Sequence, residues 1–226
     1  MTAAPVPVPA TMVERLRTST RDWHDALEAT PFASAMIAET LPVERYVGQL
    51  GAYRVVLETL EGELSRVADS SADPVWSPDL GKLPLIERDL AYFANLGTAP
   101  GPWAVEEAEA FTAEIRQRAV DADLRALLGF LYVMEGSTLG ALFLHPHVTA
   151  AYRLPGTDGV AYYTSGDRDR WARFASRMDQ TLTDPEAQDQ VLAAAHSAYR
   201  HAAAITGALS VGLSPPFPSP APTPVR

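Results

Sequence analysis

The chain has 226 residues, 47% of them apolar, with a formal net charge of −10 and no cysteine. This is enough length and apolar content for one domain with its own core. It excludes disulfides, thiolate nucleophiles and cysteine-held metal or haem. An acidic balance without basic runs also argues against nucleic-acid and anionic-membrane surfaces.

The first ten residues lack the basic start and apolar run of a signal peptide. No segment reads as long and charge-free enough to cross a membrane, so a soluble, cytoplasmic protein is expected. Proline-rich stretches at 1–10 and 213–226 are expected to be tails flanking one domain over 11–212. Within that domain Met12, Leu16, Trp23 and Leu27 recur at helical spacing, predicting a helix from Thr11 to Ala29 that Pro31 stops. A short turn of helix follows around Phe32–Glu39. Pro42 then suits the start of a long helix, Val43–Val67, with Tyr46, Leu50, Tyr53, Leu57, Leu60 and Leu64 as its buried stripe.

Residues 68–83 read as a break and Leu85–Leu96 as a short helix. Val105–Val120 and Asp121–Tyr152 read as two more, with a kink or end expected at Pro146. Leu154–Gly166 is expected to be a loop. The last pair, Asp167–Leu182 and Asp184–Val211, meets where Asp184 caps and Pro185 opens the final helix. With no strand alternation and no internal repeat, the fold class is all-α: a single-domain bundle of seven or eight helices.

Two stretches carry the chemistry. Tyr132, Gly136 and Gly140 lie four apart on one helical face of an otherwise apolar segment. Each helix-interior glycine costs about 1 kcal/mol relative to alanine. Bulk is thus missing at two consecutive levels, which suits either a close helix neighbour or a flat ligand. In the first helix, Arg17, His24 and Glu28 share a face. A carboxylate one turn from a histidine can take one ring N–H and leave the other nitrogen for a metal. Arg170, Arg173 and Arg177 form a ridge suited to carboxylates. Glu58, Glu61 and Glu63 read as a solvated face. His145 and His147 read as loop or helix-end residues, and His196 and His201 form no standard ligand pair. A flat, iron-containing dicarboxylate such as haem would use one axial histidine, a bare glycine face and guanidinium groups together.

Leu16-Arg-Thr-Ser-Thr-Arg-Asp-Trp-His24-Asp-Ala-Leu-Glu28 resembles the proximal helix of haem oxygenases. Leu131-Tyr-Val-Met-Glu-Gly-Ser-Thr-Leu-Gly140 resembles their distal helix, in the version found in the bacterial branch that supplies biliverdin to phytochromes. The resemblance spans roughly residues 10–210 and implies a haem-oxygenase-like bundle that binds haem as both substrate and cofactor. It implies His24 as iron ligand, Glu28 as its partner, Arg17 on a propionate, and Gly136 and Gly140 over the oxygen-binding face. Arg173 or Arg177 would hold a propionate, and Tyr132 falls beside a family tyrosine. The reaction implied uses dioxygen and electrons from a ferredoxin or other reductase. It yields biliverdin, carbon monoxide and ferrous iron, with a phytochrome as a receiver of the bilin.

Two positions depart from the family pattern. Ser137 stands where animal relatives place an aspartate that anchors distal water, with Ser137 and Thr138 as substitutes. Ala141 stands where relatives usually carry another glycine. These departures keep a non-catalytic haem-binding or haem-sensing protein open as an alternative. A non-haem di-iron oxidase on the same architecture is a second. Thiaminase-like relatives need a cysteine that this chain lacks.

Overall fold

The computed structural model of the chain describes residues 10–68, 75–120 and 124–214. Among the described residues there are nine α-helices and no strand: α1 Met12–Ser19, α2 Arg21–Glu28, α3 Pro31–Ile37, α4 Val43–Ala68, α5 Leu83–Asn95, α6 Val105–Val120, α7 Leu124–Tyr152, α8 Arg168–Thr181 and α9 Pro185–Ser210. One 3-10 turn, Pro78–Leu80, precedes α5. The count exceeds the expected seven or eight because the first helix is broken in two. Thr20 leaves the helical region at φ −103°, ψ 2°, and its hydroxyl donates to the Leu16 carbonyl at 2.8 Å. That side-chain bond competes with continued helix. The outer parts of both proline-rich tails, 1–9 and 215–226, and the expected helix start at Asp121 lie outside the described residues.

Helix starts follow local chemistry. Thr11 and Glu14 form a reciprocal capping box on α1. Thr30 caps α3 ahead of Pro31, and Asp184 caps α9 ahead of Pro185, as its sequence signature predicts. The start of α5 is held from a distance. The Glu61 carboxylate accepts from the Lys82 and Leu83 backbone N–H groups at 2.7 and 3.2 Å. Glu61 is therefore not part of a solvated face.

Helix α7 forms the centre, packed on α9, α4 and α6. By length and composition it would cross a membrane, with mean hydropathy 1.6 over its apolar window, contrary to the sequence expectation. Yet 61% of that window is buried, which makes it a core helix. Helix α9 packs tightly at Gly129, where an added Cβ would lie 2.6 Å from the Val191 carbonyl oxygen and 2.7 Å from the Ala194 Cβ. Helix α7 also runs through Pro146 without ending, so His145 and His147 are helical. Pro146 is exposed. The last turn is held by buried Val148 and by the Tyr152 hydroxyl, which donates to the Leu41 carbonyl at 2.9 Å.

The segment 154–166 connects α7 to α8 without regular structure, as expected, but it enters the core. Val160, Ala161, Tyr162 and Tyr163 are buried there. Asp89 of α5 accepts the Ala161 and Tyr162 backbone N–H groups at 2.7 and 2.8 Å. Gly159 sits at φ +74°, and a side chain there would meet Tyr92 and Phe93 at 2.8–3.0 Å.

Candidate active site

Two surfaces that the packing leaves open bound the site. Helix α2 is amphipathic, yet none of its residues is buried, and Trp23 and Leu27 are only half-covered. On α7 burial is continuous from Ala126 to Glu135 and then changes: Gly136 is half-buried, while Ser137 and Gly140 are exposed. Both helices stand on α9. The two motifs read from the sequence therefore share one support, and both remain uncovered.

On α2, His24 Nδ1 lies 3.6 Å from Glu28 Oε1, and the histidine side chain is 55% exposed. This leaves Nε2 open. His24, Asp25 and Glu28 form the one group of three metal-capable side chains among the described residues. Among the described residues no other such set of carboxylates and histidines is found, so the di-iron alternative gains no support.

On α7, the glycines separate into two kinds. Gly129, not singled out in the sequence, is the position where a helix neighbour forbids a side chain. At Gly136 an added Cβ would meet only the Trp171 ring, at an ordinary 3.4–3.5 Å, and at Gly140 it would meet nothing within 4 Å. Close helix packing therefore does not account for Gly136 and Gly140. Ala141 is buried, so its methyl turns into the core and does not crowd that face.

Arg17, Thr20, Tyr132, Trp171 and Gly136 come together at one corner. The Tyr132 and Trp171 rings lie 5.5 Å apart. Burial, with the neighbouring Tyr199 phenol, pushes the Tyr132 phenol up to about 12 against smaller opposing effects of the Thr20 hydroxyl and Arg17. Arg17 itself is exposed.

The arginine ridge of α8 divides. Arg177 Nη1 donates to Ser77 Oγ at 3.0 Å, and Arg173 is exposed. Asp79 is held below its usual range, chiefly by the Ser77 hydroxyl, with Arg177 and Arg173 adding to the effect. Arg170 turns inward and does not join the ridge.

Arg170 belongs to a network that sequence reasoning missed. Glu135, immediately before Gly136, has a side chain only 1% exposed. Its Oε1 accepts from Arg170 Nε at 2.9 Å and its Oε2 from Lys82 Nζ at 2.7 Å. Lys82 also donates to the Leu80 carbonyl, and Arg170 to the Ser165 carbonyl, each at 2.5 Å. Burial lowers the Lys82 pKa, and Glu135 opposes that shift. A signal was present: the chain's single lysine, and one carboxylate inside an apolar helix. The distal glycines thus begin one residue beyond a clamp joining α7, α8 and the turn before α5.

Comparison with known proteins decides the family. The Heme oxygenase family model matches residues 10–206. The chain belongs to the haem oxygenase family. No curated protein matches it significantly. Among solved structures, the haem oxygenase of Leptospira interrogans superimposes with a TM-score of 0.75 at 20% identity, covering 89% of this chain and 99% of that one. Heme oxygenase-2 of Synechocystis sp. PCC 6803, in complex with heme and NO, gives 0.76 at 18% identity, over 88% and 85%. Heme oxygenase 2 of Chlamydomonas reinhardtii, without heme, gives 0.73 at 20% identity, over 92% and 100%. At these identities the structural likeness establishes the all-helical haem oxygenase fold, and the family match establishes membership.

Proposed function

We propose that this haem oxygenase family member opens the haem macrocycle to biliverdin, releasing carbon monoxide and ferrous iron. Dioxygen is the oxidant, and a ferredoxin or other reductase supplies electrons. The observation carrying this reading is the Gly136–Gly140 face of a core helix, met at Gly136 only by the Trp171 ring and open at Gly140, whereas the helix's other glycine, Gly129, is packed against α9. A glycine-lined face and an exposed imidazole, on two helices that both stand on α9, fit a flat iron-containing ligand in donor chemistry.

His24 Nε2 is the ligand atom, and Glu28 orients the ring from its Nδ1 side, directly or through one water. Arg17 is placed to meet a propionate, with Arg173 and Arg177 as further carboxylate partners once Arg177 leaves Ser77. Tyr132 and Trp171 form an aromatic wall at the Gly136 level. Gly136 and Gly140 let the α7 backbone approach the ring face, and Ser137 is the polar side chain between them. When bound, haem supplies both the oxygen-activating iron and the ring to be cleaved. The chain's own groups position that ring, exclude solvent and hold protons near it.

A domain spanning 11–212 between proline-rich tails, a cytoplasmic location and a phytochrome as receiver of the bilin complete the proposal. The test is a haem titration followed in the visible spectrum, on the native chain and on His24→Ala. An unchanged Soret band and unchanged turnover in His24→Ala would remove the assignment of the ligand.

A further inference from the structure

One apolar cleft uses no residue of α2 or α7. It is formed by Gly51 and Val55 of α4, Leu90 of α5, Pro100 and Trp103 of the connection before α6, and Val105 of α6, and measures about 270 Å³. Val105 is 47% exposed, and Pro100 is exposed. The charged residue on its wall, Arg54, is paired with Glu58 at 3.2 Å. The cleft therefore suits an apolar ligand rather than an ion.

Trp103 is fixed in place. An added Cβ on Gly48 would lie 3.2 Å from its Cβ, and the Arg45 guanidinium stacks 3.4 Å from its ring centroid. Among the described residues no group accepts from its indole N–H, which is open to solvent. The same Arg45 holds the end of α9. Its Nη2 donates to the Val211 carbonyl at 2.7 Å and its Nη1 to the Leu209 carbonyl at 3.2 Å. One guanidinium thus separates Val211 from the Trp103 ring. After Gly212, at φ +79°, Leu213 packs on the core, and the description of the chain stops at Ser214.

The sequence continues as Pro215-Pro-Phe-Pro-Ser-Pro-Ala-Pro-Thr-Pro224. Its prolines lack N–H donors and hold each preceding residue extended, so the regular form open to it is polyproline II. At about 3.1 Å per residue in that form, 215–220 span about 19 Å, well beyond the width of one guanidinium. The other proline-rich segment, 1–9, is at the wrong end. Arg15 of α1 is bonded to Gln188 and Asp189 at the start of α9, and the helical rise from Gln188 to Leu209 is about 32 Å.

We propose that the segment after Ser214 docks on this cleft in polyproline II form. Prolines of 215–220 seat against Trp103, Pro100 and Val105, and a carbonyl among them accepts from the Trp103 indole N–H. Aromatic grooves recognise proline-rich peptides in this way, and here the peptide is tethered beside its own groove, which raises its effective concentration.

The chain has no cysteine, so Ser219→Cys carries a single nitroxide label. In nuclear magnetic resonance spectra of the full chain, the Gly51, Gly101 and Val105 amides are expected to lose intensity, whereas a label on Ala4→Cys leaves them unchanged. Replacing Pro216, Pro218 and Pro220 together with glycine should restore those signals and shift the Trp103 indole resonance, identified by its loss in Trp103→Phe. The Phe32 amide is the control for mere proximity, because it also borders the end of α9, on Ser210 Oγ at 3.2 Å. Equal loss at Phe32, no loss at the cleft, or loss that survives the glycine variant overturns the proposal. So does loss that appears only when labelled chain is mixed with isotope-labelled native chain, which would put a second copy's segment there. No reading needs haem, so the proposal and the functional reading fail separately.

Discussion

Replacing Glu135 with alanine tests whether the buried clamp beneath the distal glycines holds the fold. The carboxylate is 1% exposed and accepts from Lys82 at 2.7 Å and Arg170 at 2.9 Å, while the Lys82 side chain is 3% exposed. Removing it leaves a buried ammonium without its counter-charge and opens a cavity. Breaking one side of such a pair costs about 3–5 kcal/mol. With a urea slope of about 2.5 kcal/mol per molar, the unfolding midpoint should fall by about 1.2–2 M. The triple variant Glu135→Leu/Lys82→Met/Arg170→Met should recover most of that loss, because an apolar set of similar volume leaves no buried charge behind. Urea denaturation of the unliganded protein, followed by far-UV circular dichroism, reads both. A loss below about 1 kcal/mol in Glu135→Ala would contradict a structural role for the clamp, since it would mean that water already reaches Lys82.

The glycines of α7 should respond with opposite signs. Gly129→Ala should destabilise strongly, by about 1–3 kcal/mol or more, because its methyl would meet the α9 backbone at 2.6 Å. Gly140→Ala should stabilise the unliganded chain by up to about 1 kcal/mol while slowing haem turnover; thermal melts with turnover assays check both. Asp89 is raised from its ordinary 3.8 to about 6, chiefly by burial. The folded state therefore holds its proton more tightly, and the resulting stabilisation is full below pH 3.8 and lost as pH rises through 6. That contributes a fall of at most about 3 kcal/mol across this window, which should be absent from urea denaturation of Asp89→Asn. Glu28→Gln should weaken haem binding by about 10-fold or more with little change in stability, because Glu28 is exposed; equilibrium haem titration and melts separate these effects.

What could be read from the sequence follows physical locality. Spacing placed the stripe of α4, and capping chemistry placed the start of α9, because both depend on near neighbours. The break at Thr20 was missed because one side-chain bond to Leu16 outweighs an otherwise continuous apolar period. The core role of Tyr162 and Tyr163 was hidden by the glycines and proline that make their segment a loop. At the site, Gly136 and Gly140 stood out by their spacing, but only the packing distinguishes them from Gly129. The Glu135–Lys82–Arg170 clamp joins residues far apart in the chain, so periodicity could not reveal it. For the same reason, the α8 arginines read as one ridge although Arg170 turns away.

The most direct test of the account adds hemin to the purified native chain, then ascorbate or a reductase system, and follows the visible spectrum. A sharp Soret band that decays to a broad, red-absorbing bilin spectrum is expected, with neither the band nor its decay in His24→Ala. A stable Soret band without decay, or no band at all, would contradict it.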